Sequence, residues 1–169
     1  NASIIGGPPG GAQPTKLYAS GALAVELDIL DGDGISVRQM GPDIVRASAI
    51  KMCYAGLTKG VMTLQTSVLL AGEMLGIYDE LAAEFADSQK IHWEALGRRG
   101  PFLSANAGRW AGEMDEIAET LGAVGLSDNL HKGAAEVFRF LDATPLGRDT
   151  PETLDRERTL EATMKIYRA

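Results

Sequence analysis

The sequence lacks several features that would point directly to a function. It has a single cysteine, Cys53, so no internal disulfide framework can form, and this is compatible with a reducing compartment. It contains only 16 lysines and arginines against 23 aspartates and glutamates, which gives a net charge of −7. Phosphate backbones require a clustered basic face, so this balance argues against a nucleic-acid partner and against a strongly anionic membrane.

Long apolar runs and targeting segments are also missing. No stretch of about 18 uninterrupted apolar residues occurs, and no segment is typical of a signal or transit peptide. We therefore predict a soluble, cytoplasmic protein with no membrane partner. The chain begins at Asn1, directly in a strand-like run, and from this we expect a fragment whose N-terminal part is missing.

Motifs for phosphate or metal binding are absent as well. The glycine-rich stretch at 6–14, GGPPGGAQP, matches neither GxGxxG nor GxxxxGK[ST], so it is interpreted as a plain loop near a cleft. The DGDG turn at 31–34 begins like a calcium loop but lacks the later ligands. His92 and His131 have no cysteine companion at zinc-ligand spacing, and a surface or helix-cap role is expected for both. No metal site is predicted.

The most informative stretch that is present runs from Pro42 to Leu75. After Pro42 it contains no proline and no turn cluster, so it predicts one helix of about 50 Å. Residues 61–75 are apolar almost all round, and we expect them to be buried on several sides. Gly56 and Gly60 each cost up to ~1 kcal/mol inside a helix, which indicates that another backbone approaches there.

The remaining elements follow from hydrophobic periodicity and from breakers. Before the long helix we predict strands at Ala2–Gly6, Lys16–Ser20 and Ile35–Met40, and a helix at Ala22–Leu30 with Leu23, Leu27 and Leu30 on one face. Three short strands make a poor independent sheet, so we expect the far edge of a larger one. After the long helix we predict helices at Tyr78–Ser88, Gln89–Leu96, Ser104–Leu121 and Asp128–Leu141, and a last helix capped by Thr150 with Pro151 at its first position.

The helices after residue 78 also predict a core. The inward-facing side chains are expected to be Leu81, Ala82, Phe85, Trp110, Met114, Ile117, Leu121, Leu130, Ala134, Val137, Phe138 and Leu141. Ser127 is expected to cap the helix that carries the last five of them.

Lys51 is the leading candidate for chemistry. Tyr54, Ala55 and Thr58 follow it at +3, +4 and +7, so one helical face offers an ammonium, a phenol and a hydroxyl. A lysine in a partly apolar cleft can have its pKa lowered and act as a general acid or base near neutrality. The alternative, a lysine at the helix edge whose ammonium reaches water, stays open on spacing alone. Lys59 either repeats the role of Lys51 or lies on the surface.

A second pair of charges lies further along the chain. Arg109 and Glu113 are spaced i,i+4 beside Trp110, and an exposed pair of this kind contributes a few tenths of a kcal/mol. We therefore assign the pair a structural role.

Several of these segments resemble a known family. IIGGPP at Ile4–Pro9, the following KLYASG, and GPDIVRASAIKMCYAGLTKG at Gly41–Gly60 are similar to the NAD(P)-dependent β-hydroxyacid dehydrogenase and phosphogluconate dehydrogenase superfamily. The similarity is greatest to a bacterial branch whose C-terminal domain was catalogued as of unknown function, and EMDEIAETLG at Glu113–Gly122 also resembles that branch.

The resemblance implies a fold and a domain order. It implies a mainly α chain: residues 1–41 would be the C-terminal edge of a Rossmann-like NAD(P)-binding domain, and a long interdomain helix would begin an all-helical domain at 42–169. That helical domain would close the substrate site and form a homodimer. NAD or NADP would be bound mainly by the missing N-terminal domain, so the fragment alone would be inactive.

The resemblance also assigns residues. Gly6 and Gly7 match the substrate-binding glycines, although Ile5 stands where the family has serine. Lys51 matches the catalytic lysine, which acts as acid or base toward the substrate oxygen. The asparagine expected three or four positions later is replaced by Tyr54 or Ala55, and Tyr54 and Thr58 would take over substrate contacts. The implied activity is oxidoreduction of a hydroxy acid or a related alcohol or amine. A non-enzymatic helical dimerisation module that keeps the family's architecture is the alternative.

Overall fold

The computed structural model describes residues 1–150 and 152–169. The chain forms two compact units, Asn1–Ala55 and Gly56–Ala169. The division falls inside the long helix rather than at residue 41, where the sequence places a domain boundary.

The first unit contains a small sheet. Its strands are β1 at Ala2–Ile5, β2 at Thr15–Ala19 and β3 at Ile35–Gln39. The strand order is β1-β2-β3, with β1 antiparallel and β3 parallel to the central strand. These bounds confirm the three predicted strands to within one residue at each end.

The segment between β2 and β3 differs from its prediction. A 3-10 helix occupies Ala24–Leu30 in place of the expected helix over 22–30, and Ala24 is its only buried residue. Leu23 and Leu30 are exposed, so the leucines at helical spacing do not form a buried face. A 3-10 helix has three residues per turn, so leucines spaced by three and four do not remain on one face.

The long helix α1 spans Arg46–Leu75. Just before the helix, the Oδ1 atom of Asp43 accepts a hydrogen bond from the amide of Val45 at 3.2 Å. The hydroxyl of Ser20 accepts a second one, from the amide of Ala47 at 3.1 Å. The predicted single long helix is therefore confirmed.

The second half of α1 is open to solvent along one side. Leu69 and Leu70 are buried, but Leu64 is 59% exposed and Leu75 is 74% exposed. The prediction that residues 61–75 are buried on several sides is therefore wrong for this chain. The side chains of the second unit cover one face of the helix and leave another uncovered.

The rest of the second unit is helical. The helices are α2 at Tyr78–Ser88, α3 at Lys90–Arg99, α4 at Ala107–Ala123, α5 at Asn129–Ala143 and α6 at Leu160–Arg168. The fold class, a mainly α chain preceded by a few strands, is confirmed. Among the described residues, no helix combines the length and the apolar character that a bilayer crossing requires.

The core of the second unit lies between α4 and α5. Met114, Ile117, Phe138 and Leu141 are almost completely buried, as their spacing predicted. Leu130 is 67% exposed, so its predicted place in the core is wrong. The next residue, His131, lies in the core in place of Leu130, because the helical turn of α5 directs the His131 side chain inward.

The ends of two helices also differ from the prediction. Asp128, not Ser127, stands at the N-cap of α5. The last helix begins at Leu160 rather than after Thr150, and the side-chain oxygen of Thr159 caps it by accepting from the amide of Ala162 at 3.1 Å. The predicted role of Pro151 lies outside the described residues.

Candidate functional site

A recess of about 180 Å³ lies within the first unit, beside the turn that follows β1. Its lining residues come from β1, the glycine-rich loop, β2 and the start of α1: Ile5, Gly6, Gly7, Gln13, Pro14, Lys16, Tyr18, Ile50 and Tyr54. Gly6, Gly7 and Tyr54, three of the residues predicted to contact substrate, therefore line the same recess.

The Gly6–Gly7 turn forms one wall. Gly6 has φ +122°, a conformation that a residue with a Cβ rarely adopts. The hydroxyl of Thr15 donates a 2.5 Å hydrogen bond to the carbonyl oxygen of Gly7, which fixes the turn against the first residue of β2. No atom lies within 4 Å of the position that a Cβ on Gly7 would occupy. The turn is thus held from one side and open on the other.

The central strand forms a second wall. Lys16 and Tyr18 are two residues apart on β2, so both side chains are on the same face of the sheet. In the pairing with β1, Lys16 is opposite Ile5. Neither Lys16 nor Tyr18 was identified in the sequence, because only the strand pairing brings them beside the glycine turn.

The first turns of α1 form the third wall. Ile50 and Tyr54 are one helical turn apart, and Tyr54 is 52% exposed. Lys51 is exposed and does not line the recess. Its assignment as the acid or base stays a prediction. Ala55, which stands at one of the two positions where the family has asparagine, is buried.

Thr58 lies in the second unit, on α1, and is half-buried. The predicted set is therefore divided, with Lys51, Tyr54 and the two glycines in the first unit and Thr58 in the second. The contact of Thr58 with substrate stays a prediction.

Lys59 belongs to a charge cluster within the second unit. Its side chain is only 12% exposed, and its ammonium forms an ion pair with Glu113. Arg109 pairs with the other oxygen of the same carboxylate and also donates to the Oδ1 atom of Asn106 at 3.2 Å. The Lys59 ammonium lies 5.5 Å from the ring centroid of Trp110, within the range of a cation–π interaction. Lys59 is thus neither a surface lysine nor a copy of Lys51, and it holds α1 against α4.

His131 occupies the buried contact between α1 and α5. Its Nε2 atom is 3.3 Å from the carbonyl oxygen of Gly56. A Cβ on Gly56 would lie 3.1 Å from that nitrogen and 3.1 Å from the Cγ2 atom of Ile117. The expectation of a surface or cap role is therefore wrong for His131, whereas His92 is exposed. The close approach that Gly56 indicated comes from side chains, not from another backbone.

A charged recess of about 250 Å³ lies at the junction of α1, α2 and α6 in the second unit. Burial raises the pKa of Tyr78 to about 12, and the nearby carboxylates of Glu161, Glu73 and Asp79 add to the rise. Arg168 donates a 3.1 Å hydrogen bond to Glu73. The recess carries charges of both signs, and the contacts between them tie α6 to the end of α1.

Comparison with known proteins identifies one domain family. Residues 73–141 match the family described as a domain of unknown function, DUF1932. The matched segment runs from the end of α1 through α5, so it covers most of the helical second unit. No curated protein matches the sequence.

Two solved structures are similar to most of this chain. One is a conserved hypothetical protein from Sinorhizobium meliloti 1021, with a TM-score of 0.75 and 22% identity, over 99% of this chain and 56% of that protein. The other is the conserved protein MTH1747 of unknown function, described as structurally similar to 3-hydroxyacid dehydrogenases. Its TM-score is 0.61 and its identity 23%, over 84% of this chain and 55% of that protein. The chain spans about half the length of the structures that it matches.

The chain shares the fold of a part of these two proteins, one of which is described as structurally similar to 3-hydroxyacid dehydrogenases, and its second unit contains the segment that matches DUF1932. The fold that the resemblance in the sequence implies is thereby confirmed.

Proposed function

We propose that this chain is the C-terminal part of an NAD(P)-dependent oxidoreductase that acts on a hydroxy acid or a related alcohol or amine. The observation that carries the proposal is the recess of the first unit, where Gly6, Gly7 and Tyr54 lie together beside the first turns of α1. These are the residues that the resemblance marks for substrate. The similarity of the fold to proteins described as like 3-hydroxyacid dehydrogenases supports it.

The described residues do not themselves form a dinucleotide site. A dinucleotide phosphate binds where a glycine-rich turn leads from a strand into a helix, through free backbone amides. The loop after β1 leads into another strand instead, and Pro8, Pro9 and Pro14 have no amide donors. We therefore place NAD or NADP on a domain that precedes this chain in a longer protein.

Within this chain, the proposal assigns two tasks. The Gly6–Gly7 turn and Tyr54 bind and orient the substrate, with Thr58 as a further contact. Lys51 gives or takes the proton at the substrate oxygen; a nicotinamide cofactor bound to the longer protein would supply or accept the hydride. A cytoplasmic location accompanies this proposal as a prediction from the sequence.

The test uses the longer protein and the variant Lys51→Ala. Turnover should fall about 10²–10⁴-fold, because proton transfer by a positioned side chain contributes that much, whereas the dissociation constant for NAD(P)H should not change. Lys90→Ala, which removes another exposed lysine, should keep full activity. Unchanged turnover in Lys51→Ala would remove Lys51 from the mechanism.

A second candidate is a non-enzymatic dimerisation module, and both candidates predict a dimer. One observation on α1 supports the dimer. Apolar residues recur along its open side with the alternating four- and three-residue spacing of a coiled coil. We call this set the α1 seam: Leu57, Val61, Leu64, Val68, Ala71 and Leu75. Leu57, Leu64 and Leu75 are each more than half exposed. The seam borders an apolar groove of about 480 Å³ between α1 and the helices α2 and α3, to which Phe85 and Trp93 contribute.

We propose that a second copy of this chain covers the α1 seam, whichever function is right. A helix with its own seam in 3.5-residue register is the partner that such a surface fits, and a second copy supplies one. Sedimentation velocity should give a dimer. Leu64→Glu should yield monomers, and Leu130→Glu, an equally drastic change at an exposed leucine of α5, should leave the dimer intact.

A monomeric wild-type chain at high concentration would contradict the dimer. A dimeric longer protein that oxidises and reduces nothing with either cofactor would favour the dimerisation module over the dehydrogenase.

A further inference from the structure

The turn that precedes β3 contains two Asp–Gly pairs in succession, Asp31–Gly32 and Asp33–Gly34, and all four residues are exposed. Within the part of the chain that the structure describes, no group of acidic, histidine or cysteine side chains could hold a metal ion, so the turn is not a cation site. An Asp–Gly pair has a reactivity of its own. Glycine leaves the amide nitrogen after the aspartate unshielded, and that nitrogen can attack the carboxyl carbon of the aspartate side chain.

The first pair is held at both of its reacting groups. The Oδ1 atom of Asp31 accepts a hydrogen bond from the amide of Val37 at 2.7 Å. The amide of Gly32 donates to the carbonyl oxygen of Ile35 at 3.0 Å, and the amide of Ile35 donates to the carbonyl oxygen of Gly32 at 2.8 Å. The carboxyl group and the nitrogen are therefore both engaged, and these bonds must break before the two can meet.

The second pair is free at both of these groups. Among the described residues, no hydrogen bond or ion pair holds the side chain of Asp33, and the amide of Gly34 donates no hydrogen bond. Asp33 has φ +45°, a left-handed conformation that is uncommon for a residue with a Cβ, although aspartate adopts it more readily than most. The two pairs have the same sequence and both are exposed, so the hydrogen bonds decide which of them can react.

The main chain at Gly34 supports the glycine-rich loop. Its carbonyl oxygen accepts a hydrogen bond from the amide of Thr15 at 2.8 Å, at the start of β2. A Cβ on Gly34 would lie 3.0 Å from the amide nitrogen of Gly10, so the turn packs closely on the loop. Because the hydroxyl of Thr15 fixes the carbonyl of Gly7, a change of the main chain at Asp33–Gly34 reaches the wall of the recess.

We propose that Asp33–Gly34 is a site of spontaneous isoaspartate formation, and that this conversion loosens the Gly6–Gly7 turn. The amide nitrogen of Gly34 forms a bond to the Cγ atom of Asp33 and loses its proton, a Cγ–O bond breaks, and one water leaves. The product is a cyclic imide.

Water then opens the imide. It adds to the main-chain carbonyl carbon of Asp33, and the bond between that carbon and the nitrogen of Gly34 breaks. The chain now runs through Cβ and Cγ and is one carbon longer, and the former main-chain carbonyl is a free carboxylate. The two steps release and consume one water and need no oxidant, metal or cofactor. The reaction requires no activity of the protein, so it is independent of the proposed function.

Peptide mapping of the longer protein tests the site. After incubation in a mildly acidic buffer, trypsin releases both pairs in one peptide, residues 17–38, and electron-transfer fragmentation distinguishes isoaspartate at positions 31 and 33. Isoaspartate should form at position 33 at least about tenfold faster than at position 31, because the loss of even one net hydrogen bond corresponds to about that factor. In concentrated urea, where the folded hydrogen bonds are absent, the two positions should react at similar rates.

A variant and hydrogen exchange test the consequence. Asp33→Gly removes the carboxyl group and suits the left-handed backbone, so it should fold and form no isoaspartate at position 33. In the converted wild type, isolated by anion exchange, the amide of Thr15 should exchange with deuterium about tenfold faster, because it loses its bond to Gly34. Asp33→Gly, incubated in the same way, should exchange like its fresh form.

The outcomes separate the two parts of the proposal. Absence of isoaspartate at position 33, or equal rates at positions 31 and 33 in the folded protein, would overturn the modification site. A difference that persists unchanged in urea would belong to the sequence and would overturn the protective role of the hydrogen bonds. Conversion at position 33 with unchanged exchange at Thr15 would overturn the effect on the recess.

Discussion

Replacing Gly56 with alanine should destabilise the second unit, whereas the same replacement at Gly60 should stabilise it. Both residues lie inside α1, one turn apart, and both face His131. The chemical change is the same in the two variants, so any difference between them reports the space around each Cα atom.

The magnitude follows from the contacts. In either position alanine gains up to ~1 kcal/mol over glycine in a helix interior. At Gly60 the new Cβ would lie 3.7 Å from the His131 Nε2 atom, an ordinary contact, so the gain remains. At Gly56 it would lie 3.1 Å from both His131 and Ile117, which are almost completely buried and have little freedom to move. Overpacking of this kind costs about 1–3 kcal/mol.

The two free energies of unfolding should therefore differ by about 1–3 kcal/mol, with Gly60→Ala above the wild type and Gly56→Ala at or below it. Urea denaturation followed by circular dichroism at 222 nm measures this difference. In a chain of this size each kcal/mol shifts Tm by about 2–4 °C, so the melting temperatures should be separated by several degrees.

A double-mutant cycle identifies the cause. In a His131→Ala background the imidazole is gone, and Gly56→Ala should lose much of its penalty. If Gly56→Ala is as stabilising as Gly60→Ala in the wild-type background, the close approach of His131 and Ile117 to α1 is wrong.

Two further predictions concern charges in the second unit. Glu113→Gln should lower the free energy of unfolding by about 1–3 kcal/mol, because the largely buried ammonium of Lys59 loses its carboxylate. Asp115→Asn breaks an exposed pair with Arg139 and should lower the free energy of unfolding by less than about 1 kcal/mol. Urea denaturation of both variants measures the two losses, and equal losses would contradict the burial of Lys59. The raised pKa of Tyr78, about 12, means that between pH 10 and 12 the unfolded chain releases a proton that the folded chain keeps, so stability should fall as the pH rises through this range. Tyr78→Phe should make that fall smaller, and an unchanged pH profile of the free energy of unfolding would refute the assignment.

Much of the fold was predictable because its signals are local. Long-range information is not needed to see that a stretch without breakers after Pro42 forms one helix, or that alternation around Lys16 and Ile35 gives strands. The last helix was misplaced because the hydroxyl of Thr150 satisfies local amides in a turn that does not continue, including that of Glu152 at 3.3 Å. The helix forms where a buried stripe begins instead, at Leu160.

The candidate site was predictable only in part, for a related reason. Gly6 and Gly7 follow from their motif and Tyr54 follows from helical spacing, which are both relations along the chain. Lys16 lies beside these residues because β2 pairs with β1, and the register of two paired strands cannot be deduced from the sequence of either strand alone. Likewise, His131 lies in the core in place of the predicted Leu130 because of where α5 begins. A shift of the helix start by one residue turns the buried face of the helix by about 100°.

The division of the chain into two units has a consequence for spectroscopy. Both tryptophans of the sequence lie in the second unit, Trp93 beside Phe85 and the apolar groove, and Trp110 against Phe138 in the core. The first unit has no tryptophan of its own, so intrinsic tryptophan emission reports directly on the folding of the second unit. The tyrosines that line the recess, Tyr18 and Tyr54, provide a probe within the first unit.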